Sequence, residues 1–258
     1  MSSELFDLQG KVALVTGANG GLGAVICRVL AAQGALVLVC DCDIDACQRM
    51  ANELGQDAGR AQALLGNLAD ISSISALAQS ALAWKGRVDI LVCNAGIQGP
   101  ANSLSNVGDL DWQQVMDINL RSSVELTRHL LPPMALNGGG SVILMSSIAG
   151  LRGNKAIGLY GLSKAALAQL ARNLAVEWGP QAIRINAVSP GLIRTPLAQP
   201  LLENDDFMSR RLSLTPLRRV GEPEEVAGVV AMLASAAGAF ITGHNLVVDG
   251  GTTISDGN

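Results

Sequence analysis

Short apolar runs alternate with helix-length segments along the chain. Seven runs of six or seven residues are rich in Val, Leu and Ile, namely KVALVT, ALVLVC, AQALLG, VDILVC, SVILMS, IRINAVS and NLVVDG. They show little alternation of polar and apolar positions, which is typical of parallel strands buried on both faces of a sheet. The pattern predicts an α/β fold, in which a doubly wound, seven-stranded parallel sheet carries helices on both faces.

The segments between these runs have the length of helices. Helices are predicted to about residue 33 after the first run, and then near 43–54, 70–85, 110–136, 157–178 and 223–235. No linker, repeat or change of composition divides the chain, so residues 1–258 are predicted to form a single domain. The long connection at 191–221 is predicted to be irregular, and its length is typical of a substrate loop or lid.

Composition and charge exclude several classes of function. The net charge is −4 and no cluster of Lys or Arg is present, which argues against nucleic acid and anionic membranes as partners. No apolar run approaches the length of a membrane span, and the first residues lack the features of a signal peptide. We therefore expect a cytoplasmic protein. The five cysteines form no CxxC pair, so we expect reduced thiols and no metal site.

A glycine-rich turn, TGANGGLG at 16–23, follows the first apolar run and opens a predicted helix. Amides at the start of a helix can hold a pyrophosphate where glycines let it approach the backbone. By itself such a turn is often only a turn. The residues predicted to hold the nucleotide here are Gly17, Asn19, Gly21, Leu22 and Gly23.

The second apolar run ends in a carboxylate that bears on the choice of nucleotide. Asp41 lies 18 residues after Gly23, close to where an acidic residue meets the ribose hydroxyls of the adenosine. A carboxylate there repels a 2′-phosphate, and the glycine-rich turn contains no Arg or Lys that would hold one. The predicted cofactor is therefore NAD, and NADP is less favoured. Asp43 is the competing ribose ligand, but an aspartate at that position is expected to cap the next helix.

The chain has one tyrosine, and a lysine follows it four residues later in LYGLSKAAL. That spacing places Tyr160 and Lys164 on one face of a predicted helix. A protonated Lys164, with an oxidised nicotinamide nearby, would lower the pKa of the phenol, which suits a general acid or base. Ser147 follows the run SVILMS, at the carboxyl end of a predicted strand where open α/β sheets bind ligands. Each residue alone has an ordinary structural explanation, and their combination makes them candidates for catalysis.

These motifs together resemble the short-chain dehydrogenase/reductase family. TGANGGLG, CNAG, MSSIAG, YGLSK and VSPGLIRTP occur in the order and approximate spacing of that family, and the match extends from Gly10 to VVDGG. The resemblance implies a Rossmann-like subunit that transfers hydride between NAD(H) and a secondary alcohol or ketone. The substrate is expected to be a small molecule, but the sequence does not select which one.

The resemblance also implies roles for four residues. Tyr160 would donate and accept the proton, while Lys164 would lower its pKa and hold the nicotinamide ribose. Ser147 would hydrogen-bond the substrate oxygen. Asn119, in MDINLRS, is similar to the asparagine that positions a water in the family's proton relay; the alternative is a helix residue that bonds only locally.

Five further residues are expected to contact or support the cofactor by the same resemblance. Asn94 would support the central strand, and Ala95 and Gly96 would lie near the adenosine. Asn67 stands where the family commonly has an aspartate, and its amide oxygen can still accept a hydrogen bond from the adenine amino group. The Leu68 backbone is expected at the adenine as well.

The segment after the sixth run resembles the family's contact to the nicotinamide carboxamide. The residues expected there are Pro190, Gly191, Ile193 and Thr195. Family resemblance further suggests a homotetramer, joined through the helices near 110–136 and 157–178.

Two other functions are alternatives at this point. One is an NADP(H)-dependent carbonyl or 3-oxoacyl carrier protein reductase, against which Asp41 argues. The other is a non-catalytic, NAD-binding sensor or structural protein, since a fold alone does not establish activity.

Overall fold

Seven parallel strands form one sheet in the computed structural model, which describes residues 4–255. They are β1 (Val12–Thr16), β2 (Leu36–Asp41), β3 (Ala61–Leu65), β4 (Ile90–Cys93), β5 (Gly140–Met145), β6 (Ile183–Pro190) and β7 (Asn245–Val248). Their order is β3-β2-β1-β4-β5-β6-β7, and every neighbouring pair is parallel. The predicted seven-stranded parallel sheet is confirmed.

Helices cover both faces of this sheet. They are α1 (Gly21–Ala32), α2 (Ile44–Glu53), α3 (Ile74–Lys85), α4 (Asp109–Met116), α5 (Ser122–Leu136), α6 (Gly158–Trp178), α7 (Gln199–Leu202), α8 (Asp205–Ser213) and α9 (Pro223–Ala234). Buried residues of α1, α2 and α9 pack on one face, and those of α3, α5 and α6 pack on the other. Successive strand residues alternate between the two cores, so both faces of each strand require apolar side chains.

The strand order reverses direction beside β1. The chain runs outward from β1 to β3 and then crosses back to β4, on the other side of β1. At such a switch point the connections that leave the two central strands diverge, which opens a crevice at their carboxyl ends. Ligands bind at this position in open α/β sheets, so the topology predicts the site before any side chain is considered.

Two predicted segments differ from the structure. The helix predicted over 110–136 is interrupted by a π-helical segment at Asp117–Arg121, between α4 and α5. The connection 191–221 was predicted to be irregular, and that prediction is wrong in part because it contains α7 and α8. The side chain of Asn204 caps α8 by accepting a hydrogen bond from the amide of Phe207 at 2.9 Å. Acidic residues in its first turn and basic residues in its last turn also suit the helix dipole.

No helix within residues 4–255 is long and apolar enough to cross a membrane.

Candidate active site

The glycine-rich turn leaves the amino end of α1 open. Its N-cap residue, Gly20, places no side chain over the first turn. Gly17 has a positive φ of 62°, and a Cβ atom there would lie 2.7 Å from the Cα of Ala95. A Cβ on Gly23 would collide with the carbonyl oxygen of Gly17. These glycines therefore keep the backbone close-packed while the first amides of α1 remain available to an anion.

Asn94 fastens this turn to the end of β4. Its Nδ2 donates to the carbonyl oxygens of Thr16 and Gly17, at 3.0 Å in both cases. In return the backbone amides of Asn94 and Ala95 donate to the Thr16 hydroxyl, at 3.1 and 3.2 Å. Asn94 thus bridges the two central strands at the switch point.

The carboxylate of Asp41 faces the same turn. It accepts hydrogen bonds from the amide of Asn19 at 3.1 Å and from the amide of Cys42 at 2.7 Å. The side chain of Asp43 accepts from the amide of Ala46 at 3.0 Å and caps α2, as the sequence predicted. The geometry therefore separates the two aspartates, because Asp41 points to the crevice and Asp43 is committed to its helix.

The end of β3 forms the far wall of the crevice. Asn67 is exposed, and its Oδ1 accepts a hydrogen bond from the amide of Ala69 at 3.1 Å. The second lone pair of that oxygen can accept another donor. Leu68 is buried beside it.

The phenol of Tyr160 and the ammonium of Lys164 lie near one another at the opposite end of the crevice. Lys164 is buried, its Nζ donates to the carbonyl oxygen of Met145 at 2.8 Å, and it lies 5.5 Å from the centre of the Tyr160 ring. Burial lowers the pKa of Lys164 to about 8. Burial also raises the pKa of Tyr160, while a hydrogen bond with the side chain of Ser147 acts in the opposite direction. The protein groups alone therefore do not lower the pKa of the Tyr160 phenol; the sequence analysis expected that lowering from Lys164 together with an oxidised nicotinamide.

Asn119 lies in the π-helical segment and makes long-range contacts. Its Oδ1 accepts from the amide of Ile97 at 2.8 Å, and its Nδ2 donates to the Ile97 carbonyl at 2.9 Å and to the Ser163 hydroxyl at 3.0 Å. The alternative of purely local bonding is wrong. Asn119 instead connects the loop after β4 to Ser163 on α6, the residue that precedes Lys164.

Gly96 lies between these catalytic candidates. A Cβ atom there would be 3.0 Å from the Nζ of Lys164 and 3.3 Å from the Oδ1 of Asn119. The sequence placed Gly96 near the adenosine; in the structure it adjoins the Tyr160 end of the crevice.

The segment after β6 closes over the glycine-rich turn. A Cβ atom on Gly21 would lie 2.8 Å from the Cβ of Thr195. Ile193 is buried and pairs with Gly221 in an isolated bridge, and Gly191 packs against Asp249, whose Cα would lie 2.7 Å from an added Cβ. This segment is therefore held at both edges while Thr195 faces the nucleotide site.

A cavity of about 360 Å³ brings most of the predicted residues together. The predicted residues that line it are Gly17, Gly21, Leu22, Asp41, Asn67, Leu68, Asn94, Ala95, Gly96, Tyr160, Lys164, Pro190 and Thr195. The predicted residues that are not part of this lining are Asn19, Gly23, Asn119, Ser147, Gly191 and Ile193. Lining residues that the sequence analysis missed are Gly20, Cys40, Cys42, Gly66, Ala69, Ile118, Met145 and Ser146. Most of these lie at or just after the carboxyl end of a strand, which is a signal that the sequence pattern contains.

Comparisons with known proteins identify the family. A family model described as Enoyl-(Acyl carrier protein) reductase matches residues 17–253. The chain belongs to the short-chain dehydrogenase/reductase family. A cyclohexanol dehydrogenase from Acinetobacter sp. (strain SE19) is 37% identical over 245 residues, which cover 95% of this chain and 96% of the relative. The protein is an oxidoreductase of this family, and hydride transfer between secondary alcohols and ketones is consistent with its relatives.

Two solved structures show the same fold with cofactors bound. A 7α-hydroxysteroid dehydrogenase complexed with NADH and 7-oxo glycochenodeoxycholic acid is 34% identical, with a TM-score of 0.92 and 97% of each chain covered. A gluconate 5-dehydrogenase from Burkholderia cenocepacia J2315, in complex with NADP and tartrate, is 29% identical, with a TM-score of 0.94; the match covers 99% of this chain and 100% of that one. Family members of this fold thus bind either nucleotide.

Proposed function

We propose that the protein transfers a hydride between NAD(H) and a secondary alcohol or ketone, with Tyr160 as the general acid and base. The observation that carries the proposal is the position of Tyr160 and Lys164 at one end of a cavity whose other end holds Asp41 and the glycine-rich turn. The nicotinamide supplies the hydride acceptor for oxidation and the hydride donor for reduction. The protein's part is to orient both reactants and to move one proton.

Ser147 and Tyr160 would act together on the substrate oxygen. The Ser147 hydroxyl accepts from the amide of Ala149 at 3.1 Å, which orients it and leaves its own proton to donate. Its hydrogen bond favours the ionised phenol of Tyr160. In alcohol oxidation the phenolate would accept the hydroxyl proton, and in ketone reduction the phenol would return it.

Lys164 and Asn119 would support that proton transfer. Lys164 is held by the Met145 carbonyl beside the phenol, where its positive charge and that of an oxidised nicotinamide would together favour the phenolate. Asn119 fixes the Ile97 carbonyl and would position a water that connects Lys164 to solvent. The absence of a side chain at Gly96 keeps the space beside both groups free.

The proposed cofactor is NAD, with NADP less favoured. The residues fit the group, since the open amides of α1 suit the pyrophosphate and Asp41 suits the ribose hydroxyls. Asn67 and Leu68 would contact the adenine. Ile193 and Thr195 would contact the carboxamide. The two relatives bind different nucleotides, so the argument for NAD is the negative charge of Asp41.

A Tyr160→Phe variant tests the catalytic assignment. Loss of the phenolic proton should lower kcat about 10²- to 10⁴-fold, the usual contribution of a general acid or base. NADH affinity, measured by fluorescence, should remain unchanged because the ring is preserved. Leu162→Ala, an exposed position on the same helix, is the matched control and should retain activity. An unchanged kcat in Tyr160→Phe would contradict the assignment, and cofactor binding without any turnover by the parent would support the non-catalytic alternative.

Titration of NADH against NADPH tests the cofactor. We expect NADH to bind at least about tenfold more tightly, and Asp41→Ala to lose most of this discrimination. Asp45→Ala, an exposed carboxylate in the first turn of α2, should retain it. Tighter binding of NADPH by the parent would favour the carbonyl or 3-oxoacyl carrier protein reductase instead.

We further propose a single domain that assembles as a homotetramer in the cytoplasm. Leu136 on α5 and Val176 on α6 are 90% and 80% exposed, which supports contact through these helices. All five cysteines are free thiols, as expected in a reducing compartment. A light-scattering mass near the 26.6 kDa monomer would contradict the tetramer.

A further inference from the structure

Helix α8 directs one cation toward the carboxyl edge of the sheet. Phe207, Met208, Arg211 and Leu212 are partly buried, whereas Ser209 and Arg210 between them are exposed. This spacing places Arg211 on the inner, otherwise apolar face of the helix. Its guanidinium lies 5.4 Å from the centre of the Phe207 ring. A charged group on an apolar inner face needs an anionic partner or a solvated cleft.

The carboxyl end of α8 is anchored above β7. The hydroxyl of Thr215, which follows the helix, is 3.0 Å from the hydroxyl of Thr252. The amide of Leu217 donates to the carbonyl oxygen of Gly250 at 3.1 Å. These bonds fix the inner face of α8 over the edge where β5, β6 and β7 end, which is the edge that carries Ser147 and Pro190.

Arg152, whose side chain is exposed, lies on the loop that follows Ser147. Asn154 holds this loop by donating its Nδ2 to the carbonyl oxygens of Ala149 and Arg152, at 2.7 and 2.9 Å. After burial, the charge of Arg152 is the next cause that lowers the pKa of Arg211, which places the two cations within electrostatic range. The two segments that flank the substrate side of the crevice therefore each contribute one arginine.

Neither arginine forms an ion pair within residues 4–255, where the six ion pairs engage other residues. The acidic group that influences Arg211 is Asp249. Its carboxylate is held by the amides of Gly251 and Thr253, at 2.8 and 2.7 Å. Asp249 is therefore already committed to its own turn, and the donors of both arginines remain available to an anionic ligand.

We propose that the substrate carries a carboxylate, remote from the reacting hydroxyl, which Arg152 and Arg211 bind between the Ser147 loop and α8. Arginine presents paired donors that match the two oxygens of a carboxylate. The substrate class is thus a hydroxycarboxylate and its keto acid. This inference rests on the proposed oxidoreductase function, because it assigns the substrate of the same site.

The test uses a panel of secondary hydroxycarboxylates, each paired with its neutral carboxamide. With NAD, the parent should show a kcat/KM at least about tenfold higher for the acids, and Arg211→Met and Arg152→Met should each lower that value by about 10- to 100-fold, as expected for a charge-assisted hydrogen bond. Turnover of the amides should change little. Arg210→Met removes the same charge from the outer face of α8 and should match the parent. Unchanged NADH affinity shows that each variant is folded.

Binding is measured separately from turnover. With NADH present, the panel acids should raise the Tm of the parent and of Arg210→Met, but not that of Arg211→Met or Arg152→Met. If neither the panel alcohols nor neutral cyclohexanol are oxidised, the proposed function fails. The Tm shifts then still show whether Arg152 and Arg211 bind the carboxylate, because they do not depend on turnover. Equal kcat/KM for acids and amides in the parent, equal loss of both in Arg211→Met, or a preference for the phosphate ester of the same alcohol would overturn the proposal.

Discussion

Removal of the Asn94 side chain should weaken both the stability of the protein and its affinity for cofactor. In Asn94→Ala the carbonyl oxygens of Thr16 and Gly17 each lose a donor that lies at 3.0 Å. Gly17 retains a bond from the amide of Gly20 at 3.2 Å, so neither the turn nor the strand unfolds outright. Each lost hydrogen bond contributes about 1 kcal/mol, and we therefore expect the free energy of unfolding to fall by about 2 kcal/mol.

The cofactor should bind more weakly in the same variant. Asn94 holds the glycine-rich turn against β4, and the turn must keep its position for the first amides of α1 to face the pyrophosphate. A decrease of about tenfold in NADH affinity would correspond to about 1.4 kcal/mol of lost positioning. Urea unfolding at fixed protein concentration measures the first effect, and fluorescence titration measures the second.

Asn173→Ala is the matched control for this experiment. Asn173 is exposed on α6 and accepts one hydrogen bond from Gln169. Its replacement should change the free energy of unfolding by no more than about 0.5 kcal/mol and leave NADH affinity unaltered. If Asn94→Ala unfolds at the same urea concentration as the parent and as this control, the proposed bridge between β1 and β4 contributes nothing and the reasoning is wrong.

Three further changes probe the site in different ways. Gly23→Ala should weaken NADH binding at least about tenfold, because its Cβ would collide with the turn. Gly228→Ala has open space in α9 and should instead stabilise the protein by about 0.5–1 kcal/mol. Equal NADH affinities of Gly23→Ala and the parent would contradict this. Burial lowers the pKa of Lys164 to about 8, so above that pH the unfolded chain binds more protons, and the parent should gain stability relative to Lys164→Met as the pH rises toward 10. A flat or falling difference in urea unfolding would refute it. Cys42 is the exposed thiol among the five, so Ellman's reagent should modify one thiol of the native protein, and NADH should slow that reaction. The hydrogen bond with Asp41 raises the pKa of Cys42, so the reaction should be slower than that of a free thiol; several reactive thiols would contradict this.

Much of the sheet and half of the site chemistry could be predicted from local sequence. Each strand is a continuous apolar run because both of its faces are buried, and a parallel order follows from the helix-length connections. Asp43 was assigned correctly as a helix cap because capping depends on neighbours in sequence. Asp41 lines the crevice, and its contact with the ribose stays a prediction. Tyr160 and Lys164 share a helix face through their spacing alone.

Contacts between distant segments could not be predicted in this way. Asn119 contacts Ile97 and Ser163 because a π-helical segment turns its side chain toward the loop after β4. A π-helical segment adds one residue to a turn of α-helix, and this insertion leaves no clear signature in the sequence. Helix α8 was missed because it has only three apolar residues and its signals lie in its cap and charges, although the Asn204 cap was visible.

The sequence by itself determined which runs are buried, where the glycine-rich turn lies and which residues carry titratable groups. Only the tertiary structure decided their environment. The pKa values of Tyr160 and Lys164 depend on burial among segments far apart in the chain, and the electrostatic influence of Arg152 on Arg211 depends on where the fold places α8 and the loop after Ser147. Charges respond to distance and solvent exposure, and neither quantity is a property of local sequence.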